Sequence, residues 1–203
     1  QLQQKCDSIL NEFGSLLVEE YIAGKEFTVL VAANEDGQSC KIFRPVEYRF
    51  PEGHSFKTYA LKTAELHPDC NLPCQDEALE KQLKTATEKI FNGFNGLGYA
   101  RLDFRVNEKN ELYFLEINFT CSVFYEDGYE GSADYILLHD GIGKAGFLKH
   151  IIKEGIARHK RNLKPFVMKG NAIAGYGIYA SRNISKGEII FKGEGHSQRI
   201  ITK

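Results

Sequence analysis

The sequence lacks several features, and each absence removes a class of function. No run of about 18 apolar residues occurs in its 203 residues, so nothing in it reads as a transmembrane helix. Charge of neither sign is in surplus. Against 27 Asp and Glu stand 26 Lys and Arg, a net charge of −1, which argues against a general binder of nucleic acid or of membrane surfaces. No signal peptide opens the chain, and it begins with Gln1 instead of Met, so the expectation is a start cut from something longer. No disulfide framework is legible either. The five cysteines (Cys6, Cys40, Cys70, Cys74, Cys121) are odd in number and scattered, which fits a reducing, cytoplasmic compartment. Cys70 and Cys74 lie four apart, but no second Cys/His pair completes a zinc set. Internal repeats and low-complexity tracts are missing too.

What is present is an ordinary globular composition, 42% apolar and 26% charged, with enough chain for one domain or one and a fragment. Leu2, Cys6, Ile9, Leu10 and Phe13 recur at helical spacing, and Gly14 can stop that helix. Three strands follow by pattern, 16–22, 26–33 and 39–50, joined by short turns, which implies an antiparallel sheet. Residues 51–77, rich in proline, read mostly as loop. Residues 78–94 form a helix with Leu79, Leu83, Ala86, Ile90 and Phe94 on one side, and 132–139 and 145–161 are helical.

The most informative stretch is Tyr99 to Ser122, YARLDFRVNEKNELYFLEINFTCS, two apolar-rich runs around a polar break. It reads as a β-hairpin. Strand alternation puts Arg101 and Asp103 on one face and Glu116 and Asn118 on another. With Lys109-Asn110 as a two-residue turn, Asp103 stands opposite Glu116 and Arg101 opposite Asn118, so all four share a face. Opposed carboxylates repel unless a cation sits between them. Two acidic oxygens and an amide oxygen suit Mg²⁺ that keeps waters for a phosphate ligand. The same pattern also fits a solvated outer face on which Arg101 neutralises one acid.

The residues RLDF…YFLEIN, preceded by VEEYIAGKEFTV and a helix, resemble the C-terminal half of an ATP-grasp ligase, in its D-alanine–D-alanine ligase-like branch. The likeness covers about residues 5–160. It implies an α+β fold, with residues 1–163 forming the C-terminal lobe of that domain, an antiparallel sheet with flanking helices. It also implies ATP and Mg²⁺ as cofactors, and a small carboxylate and an amine acceptor as substrates. Residue by residue, Glu19, Tyr21 and Ile22 match the strand that reads the adenine edge, and Glu26 the carboxylate that holds the ribose. Lys62, in FKTYALK, matches the lysine brought to the phosphates. Asp103, Glu116 and Asn118 match the magnesium ligands, and Arg101 the arginine that steadies the acyl phosphate and its transition state. Ser132 falls near a family serine at the second substrate's site, and the backbone N–H of Ser122 is placed to serve a substrate oxyanion. Plainer readings stand beside these: Glu19 and Glu20 as edge-strand charges, Glu26 as a turn-flanking acid, Lys62 as a solvated lysine, Ser132 as a helix cap. Asn118 is followed by Phe119-Thr120-Cys121-Ser122 where the family usually has a Pro-Gly or similar pair. The family's N-terminal domain and glycine-rich phosphate loop are not in this sequence.

From Lys169 the composition shifts to KGNAIAGYGIYASRNISKGEIIFKGEG. Strand-like runs 176–180 and 188–192 flank the turn 183–187, a pattern that resembles the opening of a SET methyltransferase domain. Residues 164–203 would then be its incomplete N-terminal portion. In that family a Gly-x-Gly backbone, here Gly175 and Gly177, approaches S-adenosylmethionine, which needs residues without a Cβ. A plain β-hairpin is the other reading. The sequence stops before the SET cofactor and catalytic motifs, so methyl transfer by this chain is not expected.

Three functions are therefore in view. They are a carboxylate–amine ligase portion, a SET-type protein lysine methyltransferase using the ATP-grasp part as scaffold, and a non-catalytic interaction module. The ligase reading leads, because a degenerate scaffold has no reason to keep Asp103, Glu116 and Asn118 together. Without the phosphate loop, the chain alone is predicted to bind nucleotide weakly and not turn over. A coupled ADP-release assay checks this, and turnover above about 0.1 s⁻¹, against about 1–10³ s⁻¹ for typical enzymes, would refute it.

Overall fold

The structure, a computed structural model, describes residues 1–56, 68–171 and 175–190. By internal contacts the chain divides into two units, residues 1–154 and 155–203. In the first, the opening apolar spacing yields helix α1 (Leu2–Phe13), ended by Gly14 in a left-handed conformation whose N–H bonds Leu10 O. None of its residues is buried. The strand expected at 16–22 does not form: residues 15–23 run without regular structure, and Glu19 and Glu20 stand exposed with no sheet neighbour among the described residues.

Strand β1 (Lys25–Ala33) follows Gly24, whose φ is +132° and where a Cβ would meet Val106 O at 2.1 Å. Only glycine lets the chain enter the strand so close to that carbonyl. The single strand expected over 39–50 divides into β2 (Cys40–Ile42) and β3 (Val46–Tyr48), which pair antiparallel with opposite ends of β1. The break lies at Arg44-Pro45. Proline has no N–H to give a ladder, and the Arg44 N–H turns away to Asp140 Oδ2 at 3.3 Å. The stretch expected to be mostly loop carries a 3₁₀ turn (Pro68–Cys70) and a short strand β4 (Asn71–Pro73) on the outer side of β3, an edge place where proline is tolerated.

Helix α2 (Glu77–Gly93) starts at Asp76, whose carboxylate accepts the N–H groups of Ala78 (2.9 Å) and Leu79 (3.0 Å). Its buried residues are Leu79, Leu83, Thr87 and Phe91. Phe94, expected on the core side, is 59% exposed, because it lies past the helix end where Asn95 (φ 52°) turns the chain.

The hairpin forms as β5 (Tyr99–Val106) and β6 (Leu112–Asn118), with Asp103 opposite Glu116 and Arg101 opposite Asn118 as expected. The turn is not the expected one. Asn107 N–H bonds Glu111 O (3.2 Å), leaving a three-residue loop, 108–110, with Asn110 left-handed at φ 59°. That shifts the register by one residue near the turn, and a bulge between Asp103 and Phe104 shifts it back.

Among the described residues the sheet has the order β4-β3-β1-β5-β6, with β2 also on β1, and every pairing is antiparallel. One face of β1 and β5, including Phe27, Val29, Leu102 and Phe104, packs with Leu83 and Phe91 of α2. The other face carries Leu30, Ala32 and Val46 against Ile136 of α3 (Ser132–Asp140) and Phe147 of α4 (Gly143–Asn162). The fold is α+β.

In the second unit β7 (Phe166–Asn171) pairs with β8 (Gly175–Ala180). The partner of the 176–180 run is thus upstream, whereas residues 188–190 form no strand and 191–192 lie outside the described residues. Instead Glu188 accepts from Arg182 and from Ser185 N–H (3.1 Å), closing the 183–187 turn on itself. No helix among the described residues is long and apolar enough to cross a membrane.

Because Phe91 is 1% exposed, Phe91→Ala should destabilise the chain by about 3–5 kcal/mol. Phe94→Ala should cost at most about 1 kcal/mol. Urea midpoints of the two variants check the reassigned helix face.

Candidate functional site

Alternation along three neighbouring strands builds one polar patch. Glu26 and Thr28 of β1 lie opposite Arg105 and Asp103 of β5, and Asp103 and Arg101 lie opposite Glu116 and Asn118 of β6. The Arg101 Nη2 donates to Asp103 Oδ2 at 2.9 Å and stands 3.7 Å from Glu116 Oε1. Asn118 Nδ2 donates to the same Glu116 oxygen at 2.9 Å. Four predicted residues are thus brought together, with a cation between the two acids as the repulsion requires. Burial works against the charge on Arg101, but the adjacent Asp103 more than offsets it and the guanidinium pKa moves up. Two carboxylates against one guanidinium leave one negative formal charge.

Of the two acids beside Arg101, Asp103 is the more enclosed, its side chain 13% exposed against 57% for Glu116. Its Oδ1 is buried without a hydrogen-bond partner among the described residues, as is Arg101 Nε. An unmet carboxylate oxygen in such a place is costly. Mg²⁺ takes hard oxygen donors from one or two carboxylates, and the donors of Asp103, Glu116 and Asn118 are of the type that fits that ion. Among the described residues no group of three His, Cys, Asp or Glu is arranged for a metal.

The other predicted residues are distributed differently. Glu26 is buried and paired with Arg105, Nη1 to Oε2 at 3.4 Å. Glu19 is exposed on the irregular segment, whereas Tyr21 and Ile22 are tied to Arg105 through the Tyr21 hydroxyl and the Ile22 carbonyl. Lys62 lies outside the described residues. Ser122 is exposed after β6. Ser132 is the first residue of α3 and does not cap it: Gly131 holds the cap position. Gly175 (φ +78°) closes the β7–β8 hairpin, and at Gly177 a Cβ would meet the Tyr179 ring at 3.1 Å, so both glycines answer needs of that hairpin.

Two residues were missed. Arg105 has the same alternation as Arg101 and Asp103, which was a usable signal. Asp134 had none, since its role depends on a loop. Buried at 3% exposure, its carboxylate accepts the N–H groups of Phe124 (2.8 Å), Gly131 (3.2 Å) and Tyr125 (3.4 Å). It holds Phe124 in a left-handed conformation (φ 67°) that a bulky residue rarely adopts. Lys144 Nζ also donates to Tyr125 O. The loop after Asn118 is therefore pinned from below. Beside it, burial pushes the Cys121 thiol up to about 11 despite the nearby Arg101, so it is a neutral thiol and no nucleophile. A groove of about 500 Å³ between Ile42, Arg44 and one side of α2 is lined by none of the residues of the polar face.

Asp134→Ala leaves these amides without their acceptor, so it should destabilise by about 1–3 kcal/mol and accelerate hydrogen exchange at Phe124 and Gly131. Amide-resolved exchange checks this.

A protein-family model described as "D-ala D-ala ligase C-terminus" matches residues 1–123. The D-alanine–D-alanine ligase of Legionella pneumophila is 35% identical over 109 residues, 51% of this chain and 29% of that protein. The Acetivibrio thermocellus enzyme of the same name is 27% identical over 157 residues, 74% and 38% of the two chains. Among solved structures, the D-alanine–D-alanine ligase of Bacillus anthracis complexed with ATP aligns with a TM-score of 0.57 at 17% identity, covering 80% of this chain and 48% of that one. That of Coxiella burnetii aligns at 0.54 and 21%, covering 79% and 40%. These two likenesses carry the fold alone. The chain spans less than half the length of each of these relatives. The SET-like reading of residues 169–203 finds no support in these similarities. Through its first 123 residues, with this sheet and these helices, the chain belongs to the D-alanine–D-alanine ligase C-terminal family of ATP-grasp proteins.

Proposed function

We propose that this chain supplies the nucleotide- and metal-holding portion of an ATP- and Mg²⁺-dependent carboxylate–amine ligase that works through an acyl phosphate. One observation carries the reading: the buried Oδ1 of Asp103, without a hydrogen-bond partner among the described residues, on the same face as Glu116 and Asn118 and beside Arg101. The relatives' shared name, D-alanine–D-alanine ligase, points to a small amino acid as the carboxylate and a second one as the amine.

Phosphoryl transfer from ATP to a carboxylate asks for positioning and charge stabilisation more than for an acid or a base. Asp103, Glu116 and Asn118 would hold Mg²⁺, which when bound neutralises the phosphate oxygens. Arg101, fixed by its bond to Asp103, would present its guanidinium to the acyl phosphate and to the oxyanion formed when the amine attacks. Such a donor is typically worth about 3–4 kcal/mol in the transition state. The backbone around Tyr21 and Ile22, with Glu19 nearby, would take the adenine, Glu26 the ribose, and Lys62 the phosphates. Ser122 and Ser132 flank the loop held by Asp134 and would meet the second substrate. Residues 1–163 form the ATP-grasp portion in this reading, and 164–203 a separate segment. All five cysteines are free thiols, which supports a reducing, cytoplasmic setting.

A ligand that binds only the folded chain raises its melting temperature. MgATP should therefore raise it by a few degrees, and S-adenosylmethionine should not. Asp103→Asn should weaken MgATP binding about tenfold or more, since a charged metal ligand is lost. Thermal melts with each ligand check both; no MgATP shift at saturating concentration sinks the reading.

A further inference from the structure

Arg105 is buried as deeply as a core leucine, with 4% of its surface exposed, yet it is not used by the metal-facing cluster. Its guanidinium reaches three separate parts of the chain. Nε donates to Ile22 O (2.9 Å), Nη2 to Tyr21 Oη (3.1 Å), and Nη1 to Ser55 O (3.1 Å) and Glu26 Oε2 (3.4 Å). The guanidinium carbon lies 5.3 Å from the centre of the Tyr21 ring and 5.5 Å from that of Phe50. Tyr21 Oη in turn donates to Ser55 O at 3.1 Å.

Burying a guanidinium is unfavourable unless its donors are met, and a well-packed apolar side chain usually stabilises a core as well or better. Core packing alone therefore gives no reason for an arginine here. What an arginine adds is a rigid planar fork of donors that can hold several acceptors in fixed relative positions, which a lysine ammonium cannot do. The acceptors it holds are informative. Residues 15–23 have no regular structure and are largely exposed, Leu17 at 80% and Val18 at 65%. Among the described residues, Arg105 ties this segment to the sheet by side-chain hydrogen bonds, and Tyr21 Oη ties it to Ser55. Gly24 then brings the chain within contact of Val106 O, one residue beyond Arg105. The irregular segment, Glu26 and the 50–55 turn are all fixed relative to one another by this one side chain.

We propose that Arg105 is the positioning residue for the nucleoside half of the nucleotide, setting Ile22 and Glu26 in register for a purine base and its ribose. The proposal rests on the nucleotide reading above. It separates the site into two parts with different supports. The base and ribose side is held by Arg105, and the phosphate and metal side by Asp103 and Arg101, two and four residues before it on the same strand face. The two are joined by one strand, β5.

The test compares MgATP with magnesium tripolyphosphate, which has the phosphates without the nucleoside, on the 203-residue chain. Arg105→Met is expected to weaken ATP binding about tenfold or more, the scale of lost hydrogen bonds to a charged group, and leave tripolyphosphate affinity within about twofold. It is also expected to accelerate hydrogen exchange at the amides of residues 20–23. Arg105→Lys keeps the charge beside Glu26, is expected to show the same split in weaker form, and serves if the methionine variant does not fold. Asp103→Asn is expected to weaken both ligands. Equal losses of ATP and tripolyphosphate in the Arg105 variants, or no loss of either, overturn the proposal while leaving the nucleotide reading intact. A wild-type chain that binds neither ligand overturns the nucleotide reading, and the proposal falls with it.

Discussion

Eight residue pairs, from Lys25–Val106 to Ala32–Tyr99, hold β1 antiparallel to β5, and eight of the nine residues of β1 are buried. A strand covered on both faces has to be matched on both, and the two faces are matched differently. On one, α2 supplies Leu79, Leu83 and Phe91 to an apolar cluster without interruption. On the other, α3 and α4 cover only the end that carries Leu30 and Ala32. At the opposite end of that face Thr28 and Glu26 come opposite Asp103 and Arg105, and polar groups replace the core. The pairing of these two strands thus decides where the core stops and the candidate site begins.

The polar end tolerates so many charges because they are paired in two separate sets. Arg101 stands between Asp103 and Glu116, and Arg105 answers Glu26 two residues along the strand. Each guanidinium offsets local carboxylate charge in a place with little water, where an unpaired charge would be unfavourable. The first set is left incomplete, with Asp103 Oδ1 unmet among the described residues. The second is closely packed, with contacts from Arg105 to two rings and two backbone carbonyls. An incomplete set suits a place for a ligand, and a complete one suits a support for it. Asp134 is a second support of this kind, under the loop that follows Asn118.

Much of this was legible from local pattern. Helical spacing located α1 and α2, and period-two alternation put Arg101, Asp103, Glu116 and Asn118 on one face. The facing of Asp103 and Glu116 came out as expected although the turn that was assumed is not the one formed. A three-residue loop and a bulge each move the register by one residue, and the two shifts cancel. Alternation cannot detect such a cancellation, because a bulge leaves no compositional mark. Phe94 was placed in the core on spacing alone, but the helix ends before it and Phe91 takes the position. The apolar run 16–22 has the pattern of a strand but no strand to pair with among the described residues. Strand propensity without a neighbour does not make a strand. At the other end, the run 176–180 found its partner at 166–171, not downstream, since the short connection there is the simpler one to close.

The sequence by itself determined the class of the protein. Composition, periodicity and the order of a few short runs were enough for an α+β sheet-and-helix unit, the four-residue polar face, and the likeness to ATP-grasp ligases, because these depend on residues close together in the chain. Tertiary structure decided what those residues touch. The burial of Arg105 against Glu26, Ile22 and Ser55, the capture of the 123–131 loop by Asp134, and the unmet oxygen of Asp103 all depend on contacts between segments far apart in sequence, where no local pattern carries the information.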